Sequence, residues 1–333
     1  FMAFEVTLKP SNRCFTVEDG VTILDAAISS KISLPHSCRD GSCGSCKSRL
    51  LEGTVNLPDN LDGISSDERV GNYILTCLAQ PVSDIVIESV YYPELDGIEP
   101  VLLPCKLEKI NFPSPDIAVL NFRLPPTSNF KYLSGQYIDL IWKGDRRSYS
   151  IANAKTEDKV LELHIRRVHK GVFSQLVFEE IKTGTLLRLD GPHGTFFVRQ
   201  SNAPILFLAG GTGFAPVKAM VERLQNEHSD RMLYIYWGIS KPEHLYDNLP
   251  EEWQKYHKNI QFIPVVSEED ANWQGRKGLV HQAVLEDFSD LSAFEVYACG
   301  SPEMINSAKH DFMKQGLKEE KFFFDAFTAF KPT

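Results

Sequence analysis

Cys38-Arg-Asp-Gly-Ser-Cys43-Gly-Ser-Cys46 holds three cysteines in nine residues, spaced C-x4-C-x2-C. A fourth, Cys77, follows Cys46 after thirty intervening residues, in Leu75-Thr-Cys77-Leu. This is the plant-type ligand spacing of a [2Fe–2S] cluster. Four thiolates must converge on two irons, and the bridging sulfides need N–H donors around them. Gly41 and Gly44 let the backbone curl without a Cβ in the way, so that successive N–H groups point at the cluster's negative charge. Free surface thiols would explain neither the crowding nor the glycines. A zinc site would call for paired knuckles or Cys/His mixtures, and Cys77 stands alone. A Rieske centre needs two histidines, and only His36 is near, so His36 reads as a polar loop residue.

Working outward, 333 residues exceed one ordinary core and suggest two or three domains. No apolar run approaches the ~18 residues of a membrane span. The opening Phe1-Met-Ala-Phe-Glu-Val6 alternates like a strand, unlike a secretory leader, and Phe1 reads as an addition before Met2. Cys14, Cys105 and Cys299 remain outside the cluster set. That odd number builds no disulfide framework and fits a reducing cytoplasm. Residues 1–99 hold 15 Asp/Glu against 7 Lys/Arg, whereas 100–333 hold 29 against 28. The excess negative charge therefore belongs to the cysteine-bearing module, where it serves solubility or steers a basic redox partner. It also argues against a nucleic-acid partner, which would need a basic stripe.

Residues 4–9 and 14–18 alternate as a β-hairpin. Thr22 opens a helix with a capping-box-like start, and strands at 46–53 and 84–90 complete a mixed sheet on one helix. Two prolines, a glycine and acidic residues mark 91–100 as linker-like. Short alternating strands at 106–110, 117–124, 137–142, 148–152, 160–168 and 185–189 predict an antiparallel barrel, interrupted by a helix at 172–181. From residue 203 the pattern becomes apolar strand then helix, the signature of a doubly wound parallel sheet. The expected division is 1–92, a linker at 93–100, 101–200 and 201–333.

Two regions beyond the cysteine loop carry chemistry. Arg146-Arg147-Ser148-Tyr149-Ser150 lies on a barrel strand, where Arg147 and Tyr149 share a face. An arginine takes a pyrophosphate bidentately while a tyrosine ring packs on a flat cofactor. Alone, the pattern also suits a basic edge strand. Gly171-Val172-Phe-Ser174 strengthens it, because a helix start favours a phosphate. Ala209-Gly-Gly-Thr-Gly-Phe-Ala-Pro216 joins a buried strand to a helix. Its glycines 210, 211 and 213 permit close approach to a dinucleotide pyrophosphate, or simply a tight turn. Cys299-Gly300-Ser301-Pro302 ends a later strand at the carboxyl edge, as a ligand-facing or a structural thiol. Phe322, Phe323, Phe324, Phe327 and Phe330 crowd the end of the chain; most read as core, and one could cover a flavin ring.

Together these motifs resemble the iron–sulfur flavoprotein reductases of the ferredoxin–NADP reductase superfamily, over essentially the whole chain. The likeness rests on Arg147/Tyr149/Ser150, Gly135-Gln-Tyr137, Gly191-Pro-His-Gly194, Gly210-Gly-Thr-Gly213 and Cys299-Gly300. It implies an N-terminal β-grasp ferredoxin, an antiparallel FAD-binding β-barrel and a C-terminal doubly wound parallel α/β nucleotide-binding domain. It implies that Cys38, Cys43, Cys46 and Cys77 hold the cluster, and that Arg147 meets the FAD pyrophosphate. Tyr149 would pack on the flavin and Ser150 lie near its N5. Gly171, Val172 and Ser174 would bind FAD phosphate, and Gly211, Thr212 and Gly213 would receive NADH. Cys299 would sit near the nicotinamide, and Phe327 would be the C-terminal aromatic near the flavin.

A closer likeness, carried by Tyr91-Tyr-Pro-Glu-Leu95, residues 146–154 and 207–218, and Val280-His-Gln-Ala-Val-Leu-Glu-Asp287, is to reductases that serve dideoxysugar dehydrases. It implies electron delivery to a pyridoxamine-phosphate-dependent CDP-6-deoxy-hexulose 3-dehydrase. The alternative acceptors are an aromatic-ring dioxygenase or a multicomponent monooxygenase, whose reductases share every cofactor motif. A non-enzymatic carrier is disfavoured by the intact flavin and nucleotide motifs. In Gly238-Ile-Ser240-Lys241-Pro-Glu243, Ser240 and Lys241 suit a 2′-phosphate while Glu243 repels one; the resemblance implies NADH.

Overall fold

The hairpin forms as the alternation predicts: Ala3–Lys9 pairs antiparallel with Cys14–Glu18, with Val6 opposite Phe15. In the computed structural model, which describes residues 2–155, 157–168 and 171–328, the chain makes two compact units. The first runs to Glu99 and takes in His193–Thr195; the second holds Pro100–Pro192 and continues from Phe196.

In the first unit the strand order is Cys14–Glu18, Ala3–Lys9, Ile85–Glu88, Lys47–Glu52, Tyr73–Leu75. Ala3–Lys9 and Ile85–Glu88 run parallel, and the remaining pairings are antiparallel. Helix Ile23–Ser29 begins where Thr22 Oγ1 accepts the Asp25 N–H, satisfying one of the helix's orphan donors. Its Ile23, Leu24 and Ala27 pack on Val6, Leu8, Val17 and Ile87, which is the β-grasp arrangement. Sequence reading missed the helix Ser66–Val70, which buries no side chain and is held by a Ser65/Glu68 capping box. His36 lies in a loop, as expected, and is buried there. The His36 ring bonds Leu34 O through Nδ1 at 2.8 Å and accepts the Gly194 N–H at Nε2 at 2.9 Å. Burial pushes its pKa down to about 4, so the ring is neutral.

The second unit opens with six antiparallel strands, ordered Asp145–Ser150, Tyr137–Trp142, Leu186–His193, Val101–Ser114, Ile117–Arg123, Val160–Arg166. A bridge between Ile151 and Leu163 joins the two ends and closes the sheet into a barrel around Leu107, Leu120, Leu140 and Leu163. The parallel sheet follows, ordered Arg276–Lys277, Ile260–Val266, Leu233–Ile239, Ile205–Gly210, Glu295–Gly300, Phe322–Ala326. Helices Phe214–Asn226, Leu249–Tyr256, Val280–Asp287 and Pro302–Lys314 alternate with these strands along the chain. The chain leaves Ile205–Gly210 towards one edge, then returns to its other side with Glu295–Gly300. A ligand-binding crevice is expected at such a reversal, and the Gly211 turn and Gly300 both lie there. Among the described residues no helix is long and apolar enough to cross a membrane.

Candidate functional site

The four predicted cysteines come together in the first unit as two pairs. Cys46 Sγ lies 3.3 Å from Cys77 Sγ. Cys38 Sγ accepts the Cys43 N–H at 3.4 Å, and Cys43 Sγ accepts the Ser45 N–H at 3.4 Å. Within each pair one thiol is raised and the other eased towards thiolate. The side-chain hydrogen bond from Cys38 lowers Cys43 to about 7, and that from Cys77 lowers Cys46. Cys38 and Cys77 rise, first from those same bonds and then from burial. Two thiolates this close repel unless a cation lies between them. Two thiol pairs with backbone N–H groups aimed at sulfur are therefore a donor set that fits a two-iron cluster. The loop depends on its glycines. Gly41 and Gly44 take φ of +81° and +75°, and a Cβ on Gly44 would stand 2.7 Å from Gly63 O. Gly63, which sequence reading passed over, donates its N–H to Gly41 O at 2.9 Å, and its own Cβ would stand 2.6 Å from that oxygen. Its signal was the Asp62-Gly63 turn pair.

Arg147 and Tyr149 share one half-buried face of Asp145–Ser150, while Ser150 is buried. The Tyr149 ring packs 6.0 Å from Phe173, in the first turn of helix Val172–Glu179, and burial raises its phenol pKa. Strand and helix start therefore face the same space, as a cofactor spanning both would require. Gly171 is the N-cap of that helix. Ser174 Oγ turns back into the loop, accepting the Val168 N–H at 3.0 Å and donating to Gly171 O at 3.0 Å. This leaves the backbone N–H groups at the helix start as the anion-facing donors.

At the carboxyl edge of the parallel sheet a cavity of about 370 Å³ is lined by Gly211, Gly238, Ser240, His244, Val265 and His281, with Arg166 and Glu303 also on its wall. Of these, the sequence assigns a ligand role only to Gly211 and Ser240, while Gly238 and His281 stand in quoted stretches without one. Gly211–Gly213 is a 3-10 turn leading into Phe214–Asn226. Gly213 must be glycine on steric grounds alone, because a Cβ would stand 2.2 Å from Cys299 O. Cys299 is fully buried and donates from Sγ to Gly213 O at 2.6 Å. Burial, with Asp325 adding to it, holds this thiol protonated.

Cys299 is the ladder partner of Asp325. Asp325 Oδ2 in turn meets Ser150 Oγ at 3.5 Å. The serine that ends Asp145–Ser150, the sheet-edge thiol and a buried carboxylate thus converge where barrel and parallel-sheet domain meet. Sequence reading missed Asp325, although one acid inside Phe322-Phe-Phe-Asp325-Ala-Phe327 was a visible signal. Phe327 follows the last strand, half-buried, and donates its N–H to Gly300 O at 2.8 Å. Phe330 lies outside the described residues.

Three family models match the chain in order: a 2Fe-2S iron-sulfur cluster binding domain over 6–82, an oxidoreductase FAD-binding domain over 104–198 and an oxidoreductase NAD-binding domain over 207–310. The CDP-6-deoxy-L-threo-D-glycero-4-hexulose-3-dehydrase reductase of Yersinia pseudotuberculosis is 52% identical over 99% of this chain and 100% of its own length. The phenol 2-monooxygenase reductase component DmpP of a Pseudomonas species is 33% identical over 98% of this chain and 95% of its own. The crystal structure of the Amycolatopsis cytochrome P450 reductase GcoB superposes with a TM-score of 0.82 at 28% identity, covering 98% of this chain and 99% of that one. The thiol pairs, the flavin-strand face and the switch-point cavity thus occur in the order in which the three domain models match. The chain belongs to the iron–sulfur flavoprotein reductases of the ferredoxin–NADP reductase superfamily, oxidoreductases that use a [2Fe–2S] cluster, FAD and NAD(H).

Proposed function

We propose that this chain passes electrons from NADH through FAD and the [2Fe–2S] cluster to a pyridoxamine-phosphate-dependent CDP-6-deoxy-hexulose 3-dehydrase, in the making of a 3,6-dideoxyhexose. The observation that carries this reading is the full-length likeness to the Yersinia dehydrase reductase, which is far closer than the likeness to the phenol monooxygenase component. The oxygenase reading keeps every cofactor and differs only in the acceptor. With its free thiols, the chain suits a reducing cytoplasm.

When bound, FAD exchanges two electrons with NADH and releases them singly to a one-electron cluster. The chain's own residues supply binding and placement. Cys38 with Cys43 and Cys46 with Cys77 would each hold one iron. Arg147 would take the FAD pyrophosphate together with the N–H groups of Val172 to Ser174 beyond Gly171, and Tyr149 would pack on the ring system. Gly211, Thr212 and Gly213 would cradle the NADH pyrophosphate, while Cys299 and Phe327 border the nicotinamide end. Asp325 belongs with them. Its Oδ2 accepts from the Ser150 hydroxyl at 3.5 Å and would hold that group in place beside the bound flavin. Plant-type clusters sit at roughly −400 mV, near balance or uphill from NADH, so net flux depends on an acceptor that drains the cluster.

The test is anaerobic. The protein is mixed with NADH, then with the dehydrase and its CDP-6-deoxy-hexulose substrate. Bleaching of flavin and cluster, followed by recovery of colour and a 3-deoxy sugar, is the expected result. Bleaching that only an oxygenase component reverses would move the assignment to the oxygenase reading. No bleaching by NADH or NADPH would remove the reductase reading itself.

A further inference from the structure

Among the described residues a cluster of buried and half-buried titratable groups lies between barrel and nucleotide domain. Lys218, on helix Phe214–Asn226, is 6% exposed. Its Nζ pairs with Glu222 Oε1 at 2.6 Å and Glu162 Oε1 at 3.0 Å, and donates to Ala152 O at 3.3 Å. Glu222 Oε2 accepts the Ala154 N–H at 2.9 Å. Glu162 also meets His164 Nε2 at 2.9 Å, and His164 Nδ1 meets the Tyr246 hydroxyl at 2.9 Å. Two features give this network a direction. Its barrel end comprises Glu162, His164 and the backbone of residues 152 and 154, a short step along the chain from Ser150. Its other end stands on the helix that begins at the Gly211–Gly213 turn and on Tyr246, whose ring meets Trp237 edge-on at 5.1 Å. Trp237 Nε1 in turn donates to Gly211 O at 2.9 Å.

We infer that Lys218 is a positioning residue for electron transfer from NADH to flavin. With Glu162 and Glu222 it registers the flavin-strand serine against the nucleotide-binding turn. Neither Lys218 nor its partners line the cavity, so they set the approach of the two cofactors and leave NADH affinity to the cavity walls. A buried charge pair holds register sharply, because any slip leaves a charge without its partner. A displacement of about 1 Å between reacting groups can cost on the order of a hundredfold in rate.

The inference rests on the reductase reading, which the parent protein's own bleaching by NADH tests separately. Lys218→Met with Glu222→Met removes one charge of each sign and is prepared as holoenzyme. Cofactor absorbance, calorimetric binding of NAD+, amide exchange at 152–154 and stopped-flow flavin reduction are measured. The expected result is full FAD and cluster content, NAD+ affinity within about twofold, exchange at 152–154 at least tenfold faster, and flavin reduction at saturating NADH slowed tenfold or more. Lys218→Arg should recover most of the rate. Flavin reduction within twofold of the parent, or a rate loss matched by an equal loss of NAD+ affinity, would overturn the proposal. If the double variant sheds FAD, Glu222→Gln decides. Retained FAD with reduction slowed at least threefold upholds the positioning role, and FAD loss there too makes the network merely structural.

Discussion

A methyl group added at Gly213 would stand 2.2 Å from the Cys299 carbonyl oxygen, although the backbone there, at φ −59°, suits any residue. At Gly211 the reverse holds. The φ is +53°, and a Cβ would find only Arg166 Nη1, at 3.6 Å. The first position forbids side chains by contact and the second by conformation, at roughly 1–2 kcal/mol for an ordinary residue. Gly213→Ala should therefore push the turn away from Cys299 and weaken NAD+ binding at least about tenfold, with FAD and cluster content unchanged. Gly211→Asn avoids most of the strain, because asparagine tolerates the left-handed region, but brings a side chain to the cavity wall, so it should weaken binding by a smaller factor, about threefold. Calorimetric titration with NAD+ separates them. Parent-like binding by Gly213→Ala would mean that the turn does not need its close approach to Cys299.

At the scale of elements, what was legible depended on which face a neighbour covers. The central strands of the parallel sheet are legible to within a residue or two, because both faces are buried and the run is continuous. Alternation predicts a strand only from 106, since Pro104 looks like a break, whereas the strand runs Val101–Ser114. Pro104 is tolerated because that half of the strand pairs only with Leu186–His193, whereas pairing with Ile117–Arg123 begins at Lys106. The candidate site follows the same logic. Cysteine spacing and glycine turns are local and legible in the sequence, but Asp325 reaches Ser150 across 175 residues of chain. Glu162 and His164 were harder still. They alternate with Leu161, Leu163 and Ile165 of the barrel core, so their face reads as solvent until the nucleotide domain covers it.

Burial there has a measurable consequence. Desolvation alone would raise Glu162, but the hydrogen bond from His164 and the charge of Lys218 outweigh it and bring the carboxyl down to about 2. A depressed carboxylate contributes its stability in full above its unfolded value of about 4.3, and loses it as pH falls towards the folded value. The contribution is on the order of 2–3 kcal/mol. All four tryptophans, Trp142, Trp237, Trp253 and Trp273, lie in the second unit, so their fluorescence follows that unit and not the acid-labile cluster. In denaturant titrations the parent's advantage over Glu162→Gln should be constant above about pH 5 and shrink steadily towards pH 2. An advantage that does not change between pH 7 and pH 3 would show that Glu162 is not held ionised by this network.

At the scale of the whole molecule, the order of the modules was open to sequence reading because each carries its own motif. The stretch between the first two was not, because its composition reads as linker while its side chains are tied down. The Arg13 guanidinium lies 3.9 Å over the Tyr91 ring, Tyr91 Oη donates to Asp96, Leu95 is buried, and Lys31 pairs with Glu99 at 2.9 Å. The chain up to Glu99 thus belongs to the cluster-bearing unit, and the chain's acid excess belongs there with it. Raising salt from about 20 to about 300 mM shortens the screening length from roughly 20 to roughly 6 Å. That weakens attraction between this acidic unit and a basic docking face on the acceptor. The second-order rate of cluster oxidation by the dehydrase should therefore fall by roughly tenfold over that range. Flavin reduction by NADH takes place in the near-neutral second unit and should change less than about twofold. Stopped-flow traces at the two wavelengths read both steps in one experiment. If cluster oxidation is flat in salt, the acidity serves solubility and docking rests on apolar contact. If it quickens with salt, the acceptor presents an acidic face, and the electrostatic part of the partner reading is wrong.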